Sequence, residues 1–266
     1  FVMHSFKGIA TAASRLTILF FLSAGNYCRA DTIVIGTQDF HYFPHYDFTA
    51  ENDKGLAWAI FEAFRATTQH EFVYIAMPVL RLQKELAKGS VDFIYPDNPK
   101  WYNPITSNMH KSFSRPVTRA LGGTILRPEK VGGGIEQIRR LAMPLGFTPV
   151  NWQHRVDKQL THLIRVNDTL NALVLIAQNK ADAANLEYHV TQHIASQQPT
   201  LGTFTLDPEL PHDGVAFMLA TISHTDLLAE FNAFLASHQP LIKRLHKQYR
   251  IKSPETILND LSNQYY

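Results

Sequence analysis

The chain has 266 residues, with 25 lysines and arginines against 23 acids, 45% apolar residues and one cysteine. That length suffices for one large or two small α/β domains, each with its own core, and the composition is that of an ordinary globular protein. A charge this close to neutral gives no electrostatic case for nucleic acid or an anionic membrane as partner, and a lone cysteine excludes a disulfide framework.

Residues 1–30 contain Lys7 and Arg15 and no acid, the apolar run 16–24, and Cys28-Arg29-Ala30 before Asp31. A basic start, an apolar stretch too short to span a bilayer, and small residues at the minus-three and minus-one positions read as a secretory signal peptide cleaved after Ala30. A buried N-terminal helix is the alternative. Losing that leader removes Cys28 and leaves 22 basic residues against 23 acidic ones, so the expected product is exported, soluble and without thiol chemistry.

From Asp31 to Gln38 the residues are β-branched and predict a strand, followed by the aromatic loop DFHYFPHYDF. Leu56, Ala59, Ile60, Ala63 and Phe64 form the apolar face of a helix over 56–67. Residues 72–76 predict a second strand, 80–87 a helix capped by a left-handed Gly89, and 91–95 a third strand. This β-α-β-α-β order implies a parallel, doubly wound sheet with right-handed crossovers. Pro96, Asp97, Asn98 and Pro99 are expected to end the third strand and open a loop at its carboxyl end, where open α/β sheets place ligands.

An extended segment over 118–126 leads to Gly132-Gly133-Gly134, read as a turn because the lysine and serine of a phosphate-binding loop are missing. A short strand over 141–145 is followed by Gly146-Phe147-Thr148, whose backbone N–H groups suit an anion. A strand over 162–166, a helix over 169–178 and a strand over 181–186 complete a smaller second lobe, with Asn185 and Glu187 at its far end. Residues 206–211 read as loop, 215–221 as strand, and 226–237, 240–249 and 254–261 as helices.

Several side chains admit both a functional and a structural reading. Asp97 and Asn98 either hold ligand hydroxyls or amines or cap the turn between their prolines. Trp101 either stacks on a ligand or packs between lobes. Arg81 either reaches the cleft or pairs with Glu85 one turn on. His41, His45 and Asp47 have a spacing that suits zinc on a helix, but Pro44 and the surrounding aromatics make the segment a loop. The motifs G-x-S-x-G, H-E-x-x-H and the P-loop are absent.

Taken together, GTQDFHYFP with Lys54-Gly55, Pro78 with Arg81 and LAKGSVD, FSRP, DTLNALVLIAQNKADAANLEYHV and LLAEFNAFLASHQPLIKRLHKQY resemble the extracellular solute-binding proteins of the polar amino acid type. The resemblance implies an α/β, two-lobed type II periplasmic binding protein fold. Each lobe would be a mainly parallel sheet flanked by helices, and the chain would cross between lobes near 118–124 and 211–216. Lobe one would comprise 31–118 and 216–266, and lobe two 119–215. The resemblance also implies that Phe40 or Tyr42 stacks on the ligand, that Phe147 and Thr148 contact its anionic end, and that Glu187, five residues after Asp182, receives an ammonium. One departure stands out: where relatives carry an arginine for the ligand carboxylate, this chain reads Asn103-Pro104-Ile105-Thr106, which leaves Lys100, Arg115 or Arg81 as substitutes. Arg115 is therefore counted with Asp97 and Asn98 among the expected ligand contacts. The implied function is capture of a small polar, amine-bearing solute in the periplasm, by a monomer serving an ABC permease, without catalysis, cofactor or metal. The alternatives are a lyase of the cyclohexadienyl dehydratase type and a ligand-sensing module that docks on a membrane receptor.

Overall fold

The structure, a computed structural model, describes residues 31–266; the leader expected in residues 1–30 lies outside the described residues. Three parallel strands come first among the described residues, β1 (Thr32–Gln38), β2 (Glu71–Met77) and β3 (Phe93–Asp97), with β1 in the middle. Between them run α1 (Leu56–Arg65) and α2 (Val79–Lys88). The apolar face of α1 buries Leu56, Ala57, Ile60, Phe61 and Phe64, as its periodicity requires. Phe61 and Phe64 meet Phe231 of α6 (Thr225–Ser237), which returns from the other end of the chain to complete this first core. Gly89 ends α2 at φ 72, and its N–H closes back on the last turn, the left-handed cap expected there.

The third strand corrects one expectation. It does not stop before Pro96 but runs on to Asp97, pairing with Met218 of β10 (His212–Thr221). The ladder tolerates a residue without an N–H because its register slips between Met218 and Ala220. Asp97 and Asn98 therefore emerge one strand step later than the sequence suggests.

The second core is built on β5 (Thr118–Leu126), β6 (Arg140–Pro144), β7 (His162–Val166) and β8 (Ala183–Glu187). Strands β6, β7 and β8 are parallel, while β5 lies antiparallel to β8. Helix α4 (Thr169–Ala177) starts on an Asp168 side-chain cap and buries Ala172, Leu173 and Ile176 against this sheet. Helix α5 (Tyr188–Gln197) is absent from the sequence reading. Its polar and β-branched residues give a weak periodicity, and its start is marked only by Glu187, whose carboxylate accepts the Val190 N–H.

The two sheets join through β5 and β10, giving the order β2-β1-β3-β10-β5-β8-β6-β7, with the short β4 (Ser112–Phe113) on β10 and β9 (Thr205–Leu206) on β5, and with α3 (Gln153–Asp157) between β6 and β7. Six consecutive residue pairs, from His212 with Gly123 to Phe217 with Thr118, bind these strands antiparallel. After α6 and α7 (Gln239–Gln248), the final helix α8 (Pro254–Tyr265) departs from the expected division. Residues 216–266 were expected in the first lobe, yet Ile257 and Leu261 of α8 are buried in the second core beside Leu121, Ile125 and Ala172. Among the described residues no helix is long and apolar enough to cross a membrane.

Candidate functional site

The aromatic loop between β1 and α1 is folded on itself by backbone bonds between Tyr42 and Tyr46. Its carbonyls then serve the next helix: Pro44 and His45 accept the N–H groups of Leu56 and Ala57, which an α-helix otherwise leaves without partners. Gly55 makes this possible. It sits at φ 88, and a Cβ there would stand 2.9 Å from the Pro44 carbonyl oxygen. The loop's rings are thereby fixed at the carboxyl ends of β1 and β3, with Tyr46 donating its hydroxyl to Gln38 at 2.9 Å.

From the second core, the turn after β6 brings Phe147 to these rings. Its centroid lies 5.6 Å from Phe40 and 6.3 Å from Tyr42, nearly parallel to the latter at 16°. Tyr42 in turn stacks on Tyr46 at 5.3 Å and meets Phe217 of β10 at 6.1 Å, and Trp101 reaches the same Phe217 at 6.1 Å. Burial, reinforced by the charge of Glu187, raises the Tyr42 phenol above its ordinary range, so it stays protonated. The structure thus unites three of the expected contact residues, Phe40, Tyr42 and Phe147, across the two cores. Thr148 follows on the exposed rim of the turn, where its carbonyl accepts the Val150 N–H.

Arg165, at the end of β7, donates from Nη1 to the Phe147 carbonyl at 2.7 Å and to that of Pro144 at 3.4 Å. It stands beside Met143 of β6, whose sulfur is 4.0 Å from the Asn185 amide nitrogen of β8. The sequence reading passed over Arg165, because one polar residue in a short alternating strand carries no signal of where it points.

The polar groups expected after β3 have other partners. Asp97 is buried; its Oδ2 lies 2.6 Å from Nζ of Lys111, and its Oδ1 accepts the Asn98 N–H. Lys111 also reaches Gln83, which holds Thr106, so this network fastens the 98–111 loop to α2. Asn98 donates from Nδ2 to the Ala216 carbonyl at 2.7 Å and accepts the Lys100 N–H. Arg115 is exposed, with its backbone N–H on Asn232 of α6. Lys111 was the partner missed: a buried carboxylate needs a cation, but the sequence does not show that Asp97 is buried.

Glu187 is also surrounded. Its Oε1 accepts from Leu121 N at 3.3 Å and from Nδ1 of His189 at 3.0 Å, and lies 3.1 Å from Nε2 of His45, though off the line of a hydrogen bond. Oε2 accepts the Val190 N–H at 2.7 Å. Burial pushes its pKa up, but His45 and His189 beside it push further the other way and hold it well below the ordinary carboxylate range. The carboxylate is therefore an anion whose acceptor positions are filled by the protein.

His45, Glu187 and His189 lie close enough together to suggest a metal site. The donor set does not fit one. Nε2 of His189 accepts the Lys252 N–H at 3.0 Å, which places the ring proton on Nδ1, the only nitrogen that faces the other two groups. His41 and Asp47, grouped with His45 in the sequence, pair with each other at 2.8 Å on the surface while His45 turns inward.

No family model matches the chain, and no curated protein matches it in sequence. Solved structures do match. An arginine 3rd transport system periplasmic binding protein from Legionella pneumophila superposes with a TM-score of 0.64 at 15% identity, covering 83% of this chain and 100% of that one. The arginine-, lysine-, histidine-binding protein ArtJ from Geobacillus stearothermophilus gives 0.63 at 14%, covering 87% and 99%. The periplasmic VFT2 domain of Bordetella pertussis BvgS gives 0.64 at 18%, covering 82% and 93%. These similar structures are two binding proteins and a periplasmic VFT2 domain, and the chain has their two-lobed, type II periplasmic binding protein fold.

Proposed function

We propose that the protein captures a small polar solute between its two lobes in the periplasm and, as a monomer, presents the closed form to an inner-membrane ABC permease. The observation that carries this reading is the meeting of Phe147 from the second core with Phe40 and Tyr42 from the first. These rings lie at the carboxyl ends of two sheets between which the described chain passes along β5, along β10 and on entering α8, the arrangement expected of a hinged binding cleft. In this reading Phe40, Tyr42, Phe147 and Thr148 face the solute. Asp97, Asn98 and Glu187 hold the walls in position, and β5 and β10 form the hinge. Capture needs no chemistry, so the solute would be released unchanged.

The test is thermal unfolding of the protein from Asp31 onward, together with small-angle scattering, against panels of amino acids, polyamines, sugars and organic acids. A solute that binds only the folded form raises the midpoint by mass action and reduces the radius of gyration. A folded protein that responds to no panel would sink the reading.

A ligand-sensing module is the second reading, favoured by the BvgS domain and a histidine kinase sensor domain among the similar structures. Solute binding without any contribution to uptake in cells would favour it over import.

A further inference from the structure

Resting on the solute-binding reading, we infer that the cleft selects a planar aromatic carboxylate, with Arg165 as the group that holds the carboxylate. Three observations converge. The acids expected to meet an amine-bearing solute are already engaged: Asp97 by Lys111 at 2.6 Å, and Glu187 by two backbone N–H groups and the His189 N–H, with His45 beside it. A cationic head group would find no free anion at either position. The cleft surface is instead aromatic from both sides, with Phe147 lying nearly parallel to Tyr42 at 16°, which favours a flat ring over a branched or saturated one.

The third observation is the guanidinium. Arg165 is exposed, and among the described residues no carboxylate pairs with it. Its described bonds use Nη1 alone, on the two carbonyls that shape the Phe147 turn, so Nε and Nη2 remain as donors. A carboxylate is the partner that a guanidinium edge matches in both charge and geometry. The Asn185 amide, across Met143 from Arg165 on the same sheet face, supplies a further neutral donor and acceptor. The arginine missing after β3 is thus replaced in function from the opposite lobe, by a residue whose position is set through Phe147 itself.

Calorimetry on the chain from Asp31 with benzoate, benzamide, cyclohexanecarboxylate and L-arginine tests this. Benzoate should bind at least tenfold tighter than benzamide, which lacks the charge, and than cyclohexanecarboxylate, which lacks the flat ring. Arg165→Gln should lose at least tenfold toward benzoate and little toward benzamide, and Arg165→Lys should recover part of the loss. Circular dichroism confirms that each variant is folded. Benzoate binding unchanged in Arg165→Gln would overturn the assignment. L-arginine binding tightly while benzoate does not would overturn it and leave the solute-binding reading standing. No binding by these probes, with a response to another panel class in the thermal screen, would do the same. No response to any compound would remove both.

Discussion

Nε2 of His45 lies 3.1 Å from Oε1 of Glu187, and this contact joins the aromatic loop of the first core to the β8–α5 junction of the second. Both side chains are almost wholly buried, so the anion depends on its neighbours rather than on water. Glu187→Gln turns one accepting oxygen into a donor facing N–H groups. It should cost about 3 kcal/mol or more in urea unfolding.

The same group predicts a pH dependence. Because its folded pKa is held below the unfolded value, Glu187 contributes stability that is fully present above the unfolded value of about 4.3 and is lost as pH falls toward the folded one. Unfolding midpoints of the native chain should therefore drop from about pH 5 downward. In Glu187→Gln that slope should be shallower; an unchanged slope would assign it to other carboxylates.

Lys111→Met should be more damaging than a surface lysine change. It leaves Asp97 buried without its cation, at a cost of about 3–5 kcal/mol. Adding Asp97→Asn should recover a good part of that loss, and a double-mutant cycle by chemical denaturation reads the coupling.

Two glycines separate backbone conformation from close approach. Gly89→Ala has a positive φ but open space around its Cβ, and should cost about 1 kcal/mol. Gly55→Ala has both the glycine-only conformation and a carbonyl at 2.9 Å, so its melting temperature should fall clearly further. Equal losses would show that the loop carbonyls over α1 yield easily.

Ile257→Ala tests the placement of α8. Ile257 is 1% exposed in the second core, and its truncation should cost about 2–5 kcal/mol. Hydrogen exchange should quicken in β5 and β8 before it does in β1 and β3. The reverse order would return α8 to the first core.

Most of the architecture was legible in the residues. The spacing of Leu56, Ile60 and Phe64 fixed the buried face of α1, and Gly89 marked the end of α2. Two kinds of feature were not. Helix α5 has little amphipathic signal, because it is stabilised by where Glu187 and His189 meet the rest of the protein. The partners Lys111, Arg165 and His189 are fixed by distant chain segments: His189 is anchored to Lys252, 63 residues away. For the proposed site, the resemblance pointed to Phe40 or Tyr42 and to Phe147, which turns after β1 and β6 bring into ring contact. The sequence could not show that Asp97 and Glu187 are already engaged, since burial and counter-charge are properties of the folded assembly.

Strand β10 holds hydrogen bonds to β3 on one side of the molecule and to β5 on the other, while the chain crosses again before α8. A paired ribbon bends far more readily than it shears, since shear would break the six matched residue pairs at once. The return of α8 then restrains swivelling about the ribbon. Under the proposed hinge, relative motion of the two cores would be confined to few degrees of freedom, close to a single angle. Two well-chosen distance probes should describe the whole trajectory, where a loosely tethered pair of bodies would need many.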